Sequence, residues 1–253
     1  MEEREDFKSY FDSYDVKGSL VIYDEKNDVF TVYNSNQLNQ PYTPASTFKI
    51  PNSLIALETG VAKNENFTLT WDSVNRDNPN WNRNTNLREA FKNSTVWYYQ
   101  ELARRVGQND MKKWLDSLHL GNADTSGGID QFWLNGSLRI TPMQQIEFLK
   151  NLHNDKLPFK KSNMDIVKNI MLVNKTDNYS IYAKTGWGEQ DSLFIGWYIG
   201  FIETDDNVYY FVNCIQNPIR KFNDESKEAA FDKARKEIVF DAFKSMGIMP
   251  SAN

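Results

Sequence analysis

The chain has 253 residues, 40% of them hydrophobic, 14% aromatic and 25% charged, and 29 Lys and Arg against 34 Asp and Glu leave a net charge of −5. A chain of this length buries about 73% of its extended surface, and its acidic balance argues against nucleic acid as a partner. The lone cysteine, Cys214, excludes an internal disulfide, and only His119 and His153 are present, so no multi-cysteine or multi-histidine metal site is expected.

Met1-Glu2-Glu3-Arg4-Glu5-Asp6 is acidic with no apolar run behind it and reads as neither a signal peptide nor a membrane anchor. Nowhere do the ~18 consecutive apolar residues of a bilayer span occur. Alternating apolar stretches predict strands over Gly18–Tyr23 and Val29–Tyr33, joined by the polar Asp24–Asp28 connection. From Pro44 to Gly60 the pattern is helical, with Phe48, Leu54, Ile55 and Leu57 on one face, Gly60 as a stop and Pro51 expected to kink the helix or cap a short turn. Trp71 to Asn86, rich in Asn, Asp and Arg, reads as loop. Helical patterns follow at Val96–Val106, Asp110–Leu118, Thr141–Leu152 and Met164–Met171, then strands at Tyr179–Lys184, Leu193–Ile202 and Val208–Ile215, and a last helix from about Ser226 to Met246. With no linker or repeat, this order predicts one domain over residues 1–253. Its sheet is assembled from both ends of the chain, and residues 60–175 form a helical lobe.

Three short patterns carry chemistry. In Ser46-Thr47-Phe48-Lys49, helical spacing puts Ser46 and Lys49 on one side, where a lysine could serve as the base a serine nucleophile needs. Taken alone it is also an ordinary helix start with a solvated lysine. Lys184-Thr185-Gly186 closes a predicted strand; a cation, a hydroxyl and a glycine that admits a ligand to the backbone make a carboxylate-binding edge, or else a turn with an exposed lysine. Ser94 of Ser94-Thr95-Val96 stands where the N-cap of the following helix is expected. His119 and His153 read as surface or helix-end residues, and Cys214 as an inert core thiol.

The order Ser-x-x-Lys, Ser-x-Val, Lys-Thr-Gly, with separations of about 50 and about 90 residues, is a signature of penicillin-recognising serine enzymes. The chain resembles class D (OXA-type) serine β-lactamases, in particular those of Gram-positive bacilli, from about Gly18 to Met249. The resemblance extends through Pro44–Leu54, Trp81-Asn82-Arg83, Ala103-Arg104, Asp130-Gln131-Phe132-Trp133-Leu134 and Gly196-Trp197-Tyr198-Ile199-Gly200. It implies an α/β (α+β) fold of the penicillin-recognising type, with an antiparallel sheet flanked by helices beside a helical lobe, and hydrolysis of β-lactams through a Ser46 acyl-enzyme. It also implies a Lys49 carbamylated by carbon dioxide (bicarbonate) as general base, with Val96 and Trp133 forming its apolar pocket and the Trp133 indole donating to the carbamate. No other cofactor is implied. Ser94 would relay a proton to the lactam nitrogen in the field of Lys184, and the backbone N–H groups of Ser46 and Trp187 would form the oxyanion hole. Thr185, with Gly186 beside it, and Arg235 are the candidates for the substrate carboxylate, although Arg235 also fits a solvated helix arginine. The partners implied are small-molecule β-lactams, the location extracytoplasmic, and a homodimer is left open.

Two positions depart from the family: Leu120-Gly121-Asn122 lacks the usual tyrosine, and Trp97 stands where many relatives have proline. The alternatives are a β-lactam sensor domain that is acylated at Ser46 without turnover, against which Val96 argues, and a transpeptidase, which normally has a longer chain.

Overall fold

The computed structural model describes residues 1–222 and 225–250. A seven-stranded sheet runs in the order β1 (Glu2–Glu3), β3 (Val29–Tyr33), β2 (Lys17–Asp24), β9 (Val208–Pro218), β8 (Leu193–Thr204), β7 (Tyr179–Gln190), β6 (Leu172–Lys175). Every pair in it is antiparallel except β1 with β3. The sheet is therefore built from both chain ends, as the order of elements predicts. A separate pair, β4 (Thr68–Leu69) and β5 (Thr85–Asn86), closes the ends of the stretch expected to be loop, Trp71–Asn86, with β5 inside it and β4 just before it.

Both faces of the sheet are covered, which is why its central strands read as continuous apolar runs. In β2, Val21 and Tyr23 join the core on one face while Leu20 and Ile22 join that on the other. The first face carries α2 (Lys49–Glu58), α3 (Leu87–Lys92), α4 (Val96–Val106), α5 (Gln108–Ser117), α6 (Pro142–His153) and α7 (Lys161–Met171). The second carries α1 (Lys8–Asp12) and α8 (Glu225–Ser245), whose Phe231, Ala234, Ile238, Ala242 and Phe243 recur at helical spacing. Helix α6 starts with a capping box between Thr141 and Gln144, with Pro142 in its first turn.

Four expectations need correction. Pro51 neither kinks a helix nor caps a turn: the chain makes a 3-10 turn over Ala45–Phe48, and Pro51 falls in the first turn of α2, where its missing N–H has no intrahelical acceptor to lose. The N-cap of α4 is Thr95 rather than Ser94, and Thr95 makes no side-chain cap. Lys184 is not at a strand end, because β7 continues to Gln190, paired throughout with β8. The turn between them is only Asp191 and Ser192, with φ of 50° and 63°, left-handed at both positions as a tight hairpin requires. Finally, two short helical pieces had no strong sequence signal. One is α3, capped by the Asn86 side chain on the Glu89 N–H; the other is α1, where Phe11 is buried one turn on from Phe7, the buried residue just before the helix.

Candidate active site

The 3-10 turn Ala45–Phe48 sits against β7. Gly186 is there for this contact: a Cβ on it would lie 3.1 Å from the Pro44 carbonyl oxygen and from Thr47 Cγ2. The glycine lets the serine-bearing turn pack closely on β7. The turn is also pinned by the Ala45 N–H donating to the Trp133 carbonyl at 2.9 Å and by Gln145 Nε2 donating to Thr47 Oγ1 at 3.0 Å. Ala45 is held at φ 48°, an unfavourable left-handed conformation for a residue with a Cβ, immediately before Ser46.

At the junction of this turn with α2, Lys49 Nζ donates to Ser46 Oγ at 2.7 Å. Ser46 is partly exposed, whereas Lys49 has no accessible surface. No carboxylate among the described residues pairs with Lys49; its other neighbour is the Tyr99 ring, with the centroid 5.3 Å from Nζ. Burial alone lowers its pKa from 10.5 to about 7. Trp133 is likewise fully buried, stacked on Phe48, with its indole N–H lacking an acceptor.

On the opposite wall, Lys184 Nζ donates to Ser94 Oγ at 3.1 Å and to the Thr185 carbonyl at 3.2 Å. Lys184 is 5% exposed; burial, and then repulsion from Lys49, Arg235 and Lys236, hold its pKa well below the usual lysine range. Ser94 too has a left-handed backbone, φ 54°. Its turn is held by Trp81, whose indole donates to the Asn93 carbonyl, while the Trp97 indole donates to the Trp81 carbonyl. Trp97, a departure from many relatives, thus fastens the 71–86 segment to the site. Because β6 pairs with β7 only as far as Tyr182, the edge of β7 from Ala183 to Gln190 has no strand partner on that side among the described residues.

The comparisons agree with this geometry. Residues 15–236 match the penicillin binding protein transpeptidase domain family. The probable beta-lactamase YbxI of Bacillus subtilis is 41% identical over 94% of this chain and 84% of its own. A crystal structure of the class D beta-lactamase YbXI from Nostoc is 42% identical, with a TM-score of 0.90 over 97% of this chain and 100% of the other. This chain belongs to the class D β-lactamases. The regulatory protein BlaR1 of Bacillus licheniformis is more distant, 33% identical over 99% of this chain but only 40% of its own length.

The remaining expected residues of this class D site are placed as follows. Val96, half-buried, opens α4, the helix that also carries Tyr99. Trp187 is partly exposed on β7 and packs on Phe194, Phe222 and Phe231. Arg235 is not a solvated helix arginine: it is 6% exposed, its guanidinium lies 5.4 Å from the Trp187 ring, and burial lowers its pKa to about 10. Its donors are largely engaged, Nη1 by the Gly186 carbonyl at 2.9 Å and Nη2 by the Asp232 carboxylate. Thr185 lies between Lys184 and Gly186 on the free edge. Leu120 is buried and lines a small cavity together with Pro44 and Phe48. His119 is exposed, and His153 ends α6, held between Glu203 and Tyr210. Cys214 is fully buried, with its thiol pKa pushed up by burial.

Tyr99 is the neighbour that the sequence reading missed. Its hydroxyl meets Ser53 Oγ at 3.0 Å, and Ser53 donates to the Lys49 carbonyl at 2.7 Å. The available signal was its spacing of three from Val96, which puts both on one face of α4.

Proposed function

We propose that this chain hydrolyses β-lactam antibiotics through an acyl-enzyme on Ser46, with carbamylated Lys49 as general base, and that it does so outside the cytoplasm. The observation that carries this reading is a fully buried lysine with no carboxylate partner among the described residues, 2.7 Å from a partly exposed serine hydroxyl. With a pKa of about 7, much of the Lys49 amine is neutral at physiological pH, and only the neutral amine adds to carbon dioxide. The residues fit such a group, since the buried Trp133 N–H has no acceptor among the described residues and a carbamate oxygen would supply one. The added group gives Lys49 a carboxylate-like base.

Lys49 in this form takes the Ser46 proton as Oγ attacks the lactam carbonyl carbon. The carbon–nitrogen bond then breaks, and Lys49 gives that proton up through the Ser94 hydroxyl, which Lys184 holds in place, to the departing nitrogen. The N–H groups of Ser46 and Trp187 receive the developing oxyanion. Lys49 next removes a proton from the water that attacks the ester carbonyl; ring-opened acid leaves and Ser46 is restored. Thr185 receives the substrate carboxylate. Arg235, engaged by Gly186 and Asp232, supports it mainly by its field and by fixing Trp187.

The test is to count product per enzyme with excess chromogenic cephalosporin and bicarbonate. Many turnovers are expected. A burst of one product per enzyme followed by silence would favour the second reading, a sensor domain, which the likeness to BlaR1 keeps in play.

A further inference from the structure

Along β7, the chain runs backwards from Trp187, at the oxyanion position, through Thr185 and Lys184 to Ala183. At ~3.3 Å per residue, Ala183 lies about 13 Å from Trp187, further than a lactam carbonyl stands from its ring carboxylate. Here the free edge borders a cavity of about 400 Å³, between β7 on one side and α3, the end of α7 and α8 on the others. Its apolar wall includes Phe91, Leu172 and Val173, and the last two are 43% and 59% exposed, unusual for large aliphatic side chains here. Among the described residues four cations line it, Arg88, Lys92, Lys184 and Lys236, and no carboxylate does. In a chain of net charge −5, that concentration of one sign is a local field directed at one kind of ligand.

The four are not equivalent. Lys184 is committed to Ser94, and Arg88 lies 3.6 Å from Glu65. Lys92 on α3 and Lys236 on α8 both line the cavity, and neither has a carboxylate within ion-pair distance among the described residues. Lys236 is close enough to Lys184 to add to the repulsion that lowers its pKa. Arg235, its neighbour in sequence, turns inward instead.

We infer that this cavity is a subsite for an anionic, partly apolar substituent on the leaving side of the substrate, beside the ring carboxylate, and that Lys92 and Lys236 give it its charge preference. The inference rests on the hydrolase reading for its substrate and deepens it: among β-lactams, those bearing a second negative charge at that position are favoured. Cephalosporins carry a variable substituent there, whereas benzylpenicillin carries only methyl groups.

The experiment compares cephalosporins that share one acyl side chain and carry an acidic, a neutral or a pyridinium group at that position. Acylation rate constants are measured for the wild type, Lys92→Gln/Lys236→Gln and Lys92→Glu/Lys236→Glu. Two part-exposed ion pairs predict a roughly three- to tenfold preference for the acidic over the pyridinium compound, shrinking in about 1 M NaCl. The preference should vanish in the glutamine pair and invert in the glutamate pair, while benzylpenicillin acylation changes little in the glutamine pair. A wild type indifferent to the substituent's charge, or a preference unchanged in both variants, would overturn the subsite. Acylation reads the cavity even where the acyl-enzyme does not turn over, and benzylpenicillin hydrolysis reads the catalytic centre without the cavity, so the two readings fail separately.

Discussion

Lys49 Nζ and Ser46 Oγ lie 2.7 Å apart across the junction between a 3-10 turn and an α-helix, and one of the two residues is buried while the other meets solvent. In the proposed mechanism the contact gives a nucleophile a base that water does not reach directly. The same burial that makes the lysine costly to charge makes it chemically useful.

The first prediction is a pH dependence. The folded Lys49 has its pKa lowered from 10.5 to about 7, so acylation at limiting bicarbonate should fall as the pH drops through about 7. The linkage has the matching sign. Between about 7 and 10.5 the unfolded chain holds a proton on Lys49 that the folded chain does not, so this group makes stability rise with pH over that window. In carbon-dioxide-free buffer, thermal unfolding of Lys49→Met should lack this part of the rise. Identical pH profiles for the two proteins would refute the low pKa.

Trp133→Phe keeps an aromatic ring on Phe48 and removes the orphaned N–H. Turnover should fall roughly tenfold or more, as expected for a lost hydrogen bond to a charged group, and should recover in part with added bicarbonate. Steady-state rates at several bicarbonate concentrations check this. Unchanged turnover without bicarbonate dependence would remove the indole from the mechanism.

Ser94 joins backbone strain to chemistry. With φ at 54°, Ser94→Gly should relieve the backbone and stabilise the fold by about 0.5–1 kcal/mol, yet lose most acylation. Ser94→Ala should lose activity without that gain. Denaturant midpoints and acylation rates, measured together, separate the two effects.

Gly186→Ala drives a methyl group to 3.1 Å from the Pro44 carbonyl, Thr47 Cγ2 and the Trp197 ring. Overpacking of this kind costs about 1–3 kcal/mol, and here the element that must yield carries Ser46. Both the urea midpoint and the acylation rate should drop. A loss of stability with full activity would mean that the serine turn is not positioned by β7.

Much of the molecule was legible in the sequence because its signals are local. Val29–Tyr33 and Val96–Val106 have the predicted bounds, since alternation and helical periodicity follow from burying one face of each element. Ser46, Lys49, Ser94 and Lys184 were legible as motifs, and the structure bonds them into two pairs. The far end of β7 was not: Gly186, Gly188 and Glu189 are poor strand formers, and pairing with β8 holds Gly186–Gln190 extended.

Sequence alone determined that the chain carries a serine, a lysine and a strand cation in the order of one enzyme family, and that its sheet draws on both termini. Tertiary structure decided what those groups are worth chemically. A lysine's pKa depends on what surrounds it, and Lys49 is surrounded by residues from α2 and α4 rather than by its neighbours in the chain. The same holds for Gly186, fixed by the Pro44 turn, for Arg235, turned inward onto β7, and for the cations gathered from α3, β7 and α8 around one cavity. Each depends on side chains brought together from distant parts of the chain, which periodicity and motif spacing do not encode.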